Sequence, residues 1–230
     1  MWDNVTALTL ASRLLVLATL VFALFIGFRQ MAEDWLPFRT VEILGAGKVH
    51  TRQAAPAIVE RLHGGFLSLD LDAARLAFET LPWVRDASVR RVWPDRLVVT
   101  LREHVPAAAW NDLAVLNVHG EVFPVQPWAG LPRVHAREGS EQEVARRYGE
   151  FAGLLGQTWR IDSIRVDARN AWQLEFANGL KLDLGQESQS ERLRRFALFY
   201  PHAAAQLGRA ARVDMRYPNG FAVSLGGNAT

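Results

Sequence analysis

The groups that could do chemistry in this 230-residue chain are few and scattered. The nearest thing to a phosphate loop is LGAGKV at residues 44–49. A Walker A loop needs Gly five positions before its Gly-Lys pair and Ser or Thr directly after it, so that backbone N–H groups wrap the phosphates. Glu42 and Val49 stand at those positions, and His50 stands where a dinucleotide-binding turn has its third Gly. The stretch therefore reads as a Gly turn closing a strand. The six histidines, at 50, 63, 104, 119, 135 and 202, have no i, i+4 pairing, so no helical zinc site is expected. Asp70 and Asp72 suit helix capping better than metal ligation. There is no cysteine, which removes disulfides, thiolate nucleophiles and Cys-based zinc sites. No Gly-x-Ser-x-Gly elbow occurs; Ser-His-Asp members need not be neighbours in sequence, so that arrangement stays open. The residues point to no cofactor and no metal, and give enzymatic activity little support.

What remains is surface. Sheet edges carry free backbone donors and acceptors that can accept a strand from another protein. The final strand, residues 221–225, is the natural one to look at, because little chain follows to cover it. Beside it stand Arg216 and Tyr217, residue types enriched at binding hot spots. Alternation lets Tyr217, Phe221, Val223 and Leu225 either fill the core or meet a partner.

The elements that must position these residues can be read from punctuation and period. Val41 and Ile43 mark a short strand ending at Gly45-Ala46-Gly47. Thr51 precedes a helix with Ile58, Val59 and Leu62 at helical spacing and Gly64-Gly65 as its stop. Asp70 or Asp72 caps a second helix, with Ala73, Leu76, Ala77 and Leu81 on one face and Pro82 ending it. Strands at 84–93 and 96–103 flank a Pro94-Asp95 turn. The order is strand, helix, helix, strand, strand, a small α+β module. From Pro106 a second region begins, with a small hairpin at 114–123 and a Pro- and Gly-containing loop over 124–139. Capping boxes at 140–143 and 188–191 open two helices. The first carries Val144, Tyr148, Phe151 and Leu155 on one face; the second carries Leu193, Phe196, Ala197 and Tyr200 and ends near Pro201. Ile164 and Val166 mark a strand, and Asn178-Gly179 joins alternating strands through Trp172, Leu174, Phe176 and Leu180, Leu182, Leu184. Residues 213–217 and 221–225 form the last two strands across Pro218-Asn219-Gly220.

Near the start, residues 14–28 (LLVLATLVFALFIGF) hold neither charge nor helix breaker. At about 1.5 Å per residue they span about 22 Å, and extension back to Val5 gives enough length to cross a bilayer, with Arg13 close enough to one end to snorkel. Large residues follow the run, so no small-x-small cleavage site is present and an uncleaved anchor is preferred to a signal peptide. The expected organisation is a tail at 1–13, an anchor at 14–31 with a start as early as 5, a connector at 32–37 with Trp35 at the interface, a first domain at 38–105 and a second at 106–230. Flanking charges do not decide the orientation. Net charge is +2, from 26 basic and 24 acidic residues, with no Lys/Arg block of the nucleic-acid-binding kind.

Three segments in this order carry a resemblance. LPWVRDASVRRVWPDRLVVTLREHVPAAAW at 81–110 resembles the POTRA module of the FtsQ/DivIB bacterial cell-division family, and AWQLEFANGLKLDLG at 171–185 with VDMRYPNG at 213–220 is similar to the β domain of its Gram-negative branch. The resemblance implies an α+β protein: a single N-terminal transmembrane helix, a POTRA module (β-α-α-β-β), and a mostly antiparallel β domain with two or three helices. It implies a single-pass protein of the bacterial inner membrane, with a cytoplasmic N-terminus, periplasmic domains and enrichment at the division septum. It further implies a non-enzymatic scaffold linking early and late cell-division proteins, which binds FtsB and FtsL by adding a strand of FtsB to the last β-domain strand. Carried over by motif, the contact involves Arg169, Arg216, Tyr217, Asn219, Gly220, Phe221, Val223 and Leu225, with Asp86, Val89 and Arg91 as a weaker recruitment surface. Leu225 stands where relatives carry Trp, and Phe221 where a small residue is common. The rival readings are a POTRA-containing component of a translocation or outer-membrane assembly apparatus, which predicts repeated POTRA units and barrel strands, and an anchored cell-wall hydrolase, which predicts a cleft of convergent titratable groups.

Overall fold

A computed structural model describes residues 5–35, 38–207 and 210–225. The chain divides into two compact units, Met1–Glu103 and His104–Thr230. The first opens with helix α1, Val5–Trp35, one continuous run of 31 residues. Its side chains from Leu14 to Ile26 are exposed throughout. Among the described residues no helix is long and apolar enough to cross a membrane. Residues 1–4 of the expected tail, Leu36 and Pro37 of the connector and the side chain of Trp35 lie outside the described residues. The helix continues to Trp35, through most of the expected connector.

The rest of the first unit is built from β1 (Thr40–Leu44), α2 (Val49–Val59), α3 (Leu71–Glu79), β2 (Val84–Val92) and β3 (Arg96–Glu103). The strand order is β1-β3-β2, with β1 parallel and β2 antiparallel to the central β3. Period two in β3 turns Leu97, Val99 and Leu101 onto one core with Ala55 of α2 and Phe78 of α3. Gly45 closes β1 at φ +81, where any Cβ would run into the carbonyl of Leu101. Two expectations are corrected. Helix α2 starts at Val49, ahead of Thr51, because the Glu103 carboxylate accepts the Lys48 N–H at 3.0 Å and supplies a cap from the far end of β3; Thr51 is buried within the helix. The buried face of α3 runs through Ala74 and Phe78, with Leu81 buried just past its end, while Leu76 is exposed, since Phe78 brings the larger apolar area. Asp70 caps this helix, accepting from the N–H groups of Asp72 and Ala73.

The second unit is one nine-stranded sheet with two helices. Its strands are β4 (Pro106–Trp110), β5 (Ala114–Asn117), β6 (Val122–Phe123), β7 (Arg133–His135), β8 (Ile161–Val166), β9 (Trp172–Phe176), β10 (Lys181–Gly185), β11 (Ala210–Asp214) and β12 (Ala222–Leu225). Their order is β12-β11-β10-β9-β8-β7-β4-β5-β6. Antiparallel pairs dominate, but β4–β7, β7–β8 and β10–β11 are parallel, so the sheet is mixed. Parallel neighbours need long crossovers. Helix α4 (Glu141–Leu155) makes the one from β7 to β8, and α5 (Gln189–Leu207) the one from β10 to β11. Phe151 and Leu155 of α4 and Leu193, Phe196 and Tyr200 of α5 share a core with Trp172, Leu174, Phe176, Leu182 and Leu184. Trp159 lies among the rings of Phe176, Phe196 and Tyr200.

Several boundaries differ from the sequence reading. β4 and β7 lie where no strand was expected. At Ser140 no capping box forms: its Oγ donates to the Arg137 carbonyl, and Glu143 pairs with Arg146 and Arg147. Helix α5 passes through Pro201 to Leu207, because Ala204 still packs on the core. β11 ends at Asp214, so Arg216 and Tyr217 lie in a loop rather than a strand.

Candidate partner-binding edge

β12 occupies the end of the sheet. It pairs antiparallel with β11 on one side, Val223 opposite Val213 and Ala222 opposite Asp214, and among the described residues no strand pairs with its other side. Alternation divides its residues. Phe221 and Val223 pack partly against the core; Ala222, Ser224 and Leu225 are exposed. Residues 226–230 lie outside the described residues.

The loop from β11 to β12 is held by two arginines. Arg195 of α5 reaches across to it and donates to the carbonyls of Met215, Tyr217 and Pro218. These bonds take the main-chain acceptors a continuing strand would have used, which explains why β11 stops at Asp214. Arg216 is held by Asp214. The Asp214 Oδ1 accepts the Arg216 N–H at 3.0 Å, and its carboxylate takes the Arg216 Nε at 2.9 Å and Nη2 at 2.6 Å. The hydrogen bond from Arg216 pulls the Asp214 carboxyl below the usual carboxylate range, against the upward push of burial, and the same bond raises the Arg216 guanidinium. Gly185, at φ +74, lets the Arg192 and Arg216 side chains pass close to its Cα, where a Cβ would lie 2.8 Å from Arg192 Nη1. Tyr217 projects outward, 55% exposed, while its carbonyl is fixed by Arg195.

Arg169 stands in a turn of the same design. Asp167 Oδ1 accepts the N–H groups of Arg169 at 2.9 Å and Ala171 at 2.8 Å. The turn joins β8 to β9, at the end of the sheet where β10 and β11 also finish. Pairing of Gly185 with Trp172 and of Asp183 with Asp214 places the Arg169 turn and the Arg216 loop on one rim, two to three strand spacings apart, roughly 10–14 Å. The structure thus gathers Arg169, Arg216, Tyr217, Asn219, Gly220 and Phe221 at that rim, and sets Leu225 at the other end of β12, opposite Ala210. Between them Asp183, nearly buried, accepts from Gln173 Nε2 at 2.7 Å and from Arg212 Nε, locking β9, β10 and β11 together.

Sequence reasoning missed Arg195 and Asp214. Asp214 had a signal: Asp-x-Arg, in which an aspartate turns the chain by accepting the N–H two residues on, occurs at both 167–169 and 214–216. Arg195 had none, since its partners lie 20 to 23 positions away.

On the first unit, Asp86, Val89 and Arg91 all fall on the edge strand β2, but each is engaged internally. Asp86 pairs with Arg102, Val89 packs on the core, and Arg91 donates to the carbonyls of Phe66, Leu67 and Leu69. Among the described residues no group of His, Asp and Glu is placed to hold a metal.

Comparison with known proteins agrees with this architecture. The sequence model for the FtsQ-type POTRA domain matches residues 36–104, and that for the C-terminal part of cell division protein FtsQ/DivIB matches residues 108–216. The chain is 36% identical to cell division protein FtsQ of Burkholderia pseudomallei over 99% of this chain and 95% of that protein. The chain belongs to the FtsQ/DivIB family. FtsQ of Nitrosospira multiformis is 37% identical, over 96% of this chain and 98% of its own length, and FtsQ of Shewanella oneidensis 36%, over 98% and 87%. The part of the first unit that follows α1 therefore matches the FtsQ-type POTRA domain, most of the second matches the family's C-terminal part, and a role in bacterial cell division follows from membership.

Proposed function

We propose that the chain is a membrane-anchored, non-catalytic scaffold of the division septum. Helix α1 crosses the bacterial inner membrane with the N-terminus in the cytoplasm and both domains in the periplasm. The β domain binds FtsB, and with it FtsL, by accepting a strand of FtsB along the free side of β12. The observation that carries this reading is the outer side of β12, with which no strand pairs among the described residues, and the exposed Tyr217 beside it. A four-residue strand directs about half its main-chain groups outward, enough for about four hydrogen bonds to an added strand. Phe221 and Val223 seat β12 on the core, so the strand meets its ligand already in place. Arg169 and Arg216 set register against acidic groups; Asp214 holds Nε and Nη2 of Arg216, so the Nη1 side of the guanidinium is the one offered to the partner. Confinement of both proteins to one membrane raises their effective concentration. Asp86, Val89 and Arg91 form a secondary recruitment surface along β2.

The test is co-purification of the chain with FtsB. Capture that is lost on replacing Ser224 by Pro, with FtsB strand residues protected from amide exchange in the wild-type complex, supports strand addition. Undiminished capture by a variant whose β12 is deleted removes it.

A further inference from the structure

We propose that the tip of the β2–β3 hairpin, Trp93 with Leu67 beside it, seats in the headgroup layer of the bilayer that holds α1. This rests on the reading of α1 as an anchor.

The argument begins with the length of chain between helix and sheet. Helix α1 ends at Trp35 and β1 begins at Thr40, five Cα steps that reach at most about 18 Å. Its 31 residues are about 46 Å long, comparable to the about 40–45 Å of a bilayer with its headgroups. The start of β1 is thus tied close to the membrane surface. Register then fixes which end of the sheet lies there. Thr40 stands opposite Arg96, and the Arg39 N–H donates to the Asp95 carbonyl at 2.9 Å. Asp95 follows Trp93 and Pro94 in the turn between β2 and β3. The hairpin tip is therefore the membrane-proximal pole of this sheet, and the Gly45 turn at the other end of β1 is the distal one.

That proximal pole carries two large exposed apolar side chains within a charged surround. Trp93 is 73% exposed and Leu67 52%. They are brought together by Phe66, which is itself buried and meets the Trp93 ring edge-on at 5.8 Å between centroids. The pair is held rather than loose: Arg91 donates to the carbonyls of Phe66, Leu67 and Leu69, pinning that loop against the hairpin. An indole with an apolar body and one N–H donor is the side chain that membrane–water interfaces favour. Arg39 and Arg96 flank the tip in long ion pairs of 3.9 Å with Asp95 and Glu42, loose enough for either guanidinium to turn toward lipid phosphate. A bilayer is the surface within reach of this end, and its seating would fix the tilt of the POTRA domain over the membrane.

The absence of cysteine makes the test direct. Single cysteines are placed at Leu67, Trp93, Val49 and Phe25 of the full chain, each labelled with a bimane fluorophore, and the protein is reconstituted in phosphatidylethanolamine–phosphatidylglycerol vesicles with and without lipids brominated high in their acyl chains. Val49 is an exposed apolar residue at the distal pole, and Phe25 lies in α1. The expected result is loss of emission at Phe25, Leu67 and Trp93 and none at Val49. Emission at Leu67 and Trp93 that matches Val49 while Phe25 is quenched overturns the seating and leaves the anchor standing. An unquenched Phe25 overturns the anchor and the seating with it. Equal quenching at all four sites overturns the seating as non-specific adsorption.

Discussion

Replacing Arg195 by Met keeps most of its aliphatic stem and deletes the group that holds the β11–β12 loop. Three carbonyls lose a donor: those of Met215, Tyr217 and Pro218. At about 0.5–1.5 kcal/mol for each bond the gross loss is about 1.5–4.5 kcal/mol. Part is returned, because the Arg195 Nε is buried without a hydrogen-bond partner in the folded chain, and removing a polar group in that position recovers about 1 kcal/mol. The expected net destabilisation of the β domain is about 1–3 kcal/mol. The effect is also local: the amides of Arg216, Tyr217 and the β12 residues exchange faster with solvent water, while those of β9 and β10 keep their protection. Arg195→Lys retains the charge but cannot fork across carbonyls from both sides of the loop, so it falls between wild type and Met. Urea unfolding together with amide exchange read by mass spectrometry measures both parts. An Arg195→Met protein with an unchanged midpoint and unchanged exchange over residues 215–225 would refute the account of how the loop is held.

Tyr217→Ala, at a side chain already 55% exposed, leaves folding stability within about 0.5 kcal/mol. If the ring is covered on binding FtsB, about 100 Å² of apolar area is lost from the complex, worth about 2–3 kcal/mol or a roughly 30- to 150-fold rise in Kd by calorimetry. Acid stability follows the sign of the Asp214 shift. Its carboxyl is held below the ordinary range in the folded state by the hydrogen bond from Arg216. Its contribution is therefore full above the unfolded value of about 4 and falls as pH drops through the folded one. Asp214→Asn should flatten the decline in melting temperature below about pH 4 relative to wild type. Gly45→Ala forces a Cβ into the Leu101 carbonyl at a positive φ, and should cost the POTRA domain about 2–4 kcal/mol in chemical denaturation.

The elements most legible in the sequence were those with local causes. Asn178-Gly179 between alternating apolar runs fixed the β9–β10 hairpin, and Asp70 announced α3. The strands that escaped are held by distant partners. β4 is largely alanine, a poor strand former, and is kept extended by β5 on one side and β7 on the other; β7 is three residues inside a Pro- and Gly-containing loop, given strand geometry by parallel neighbours on both sides. The start of α2 depends on Glu103, which lies 55 positions from the N–H it accepts. At the candidate edge, residue types and their order along the chain single out the loop before β12, but the conformation of that loop is imposed from α5. No window of sequence around Tyr217 contains Arg195.

The way β11 is shared has a mechanical side. It runs parallel to β10 and antiparallel to β12, with main-chain bonds along both flanks. Tension applied along the strand axis, by a ligand gripping β12 while the sheet is held elsewhere, would be borne by all the rungs together in shear. A pull at right angles to that axis would strip them singly, beginning at whichever end was lifted. The ribbon is thus stiff in one direction and yielding in the other, a difference that force spectroscopy with handles on the final strand could resolve.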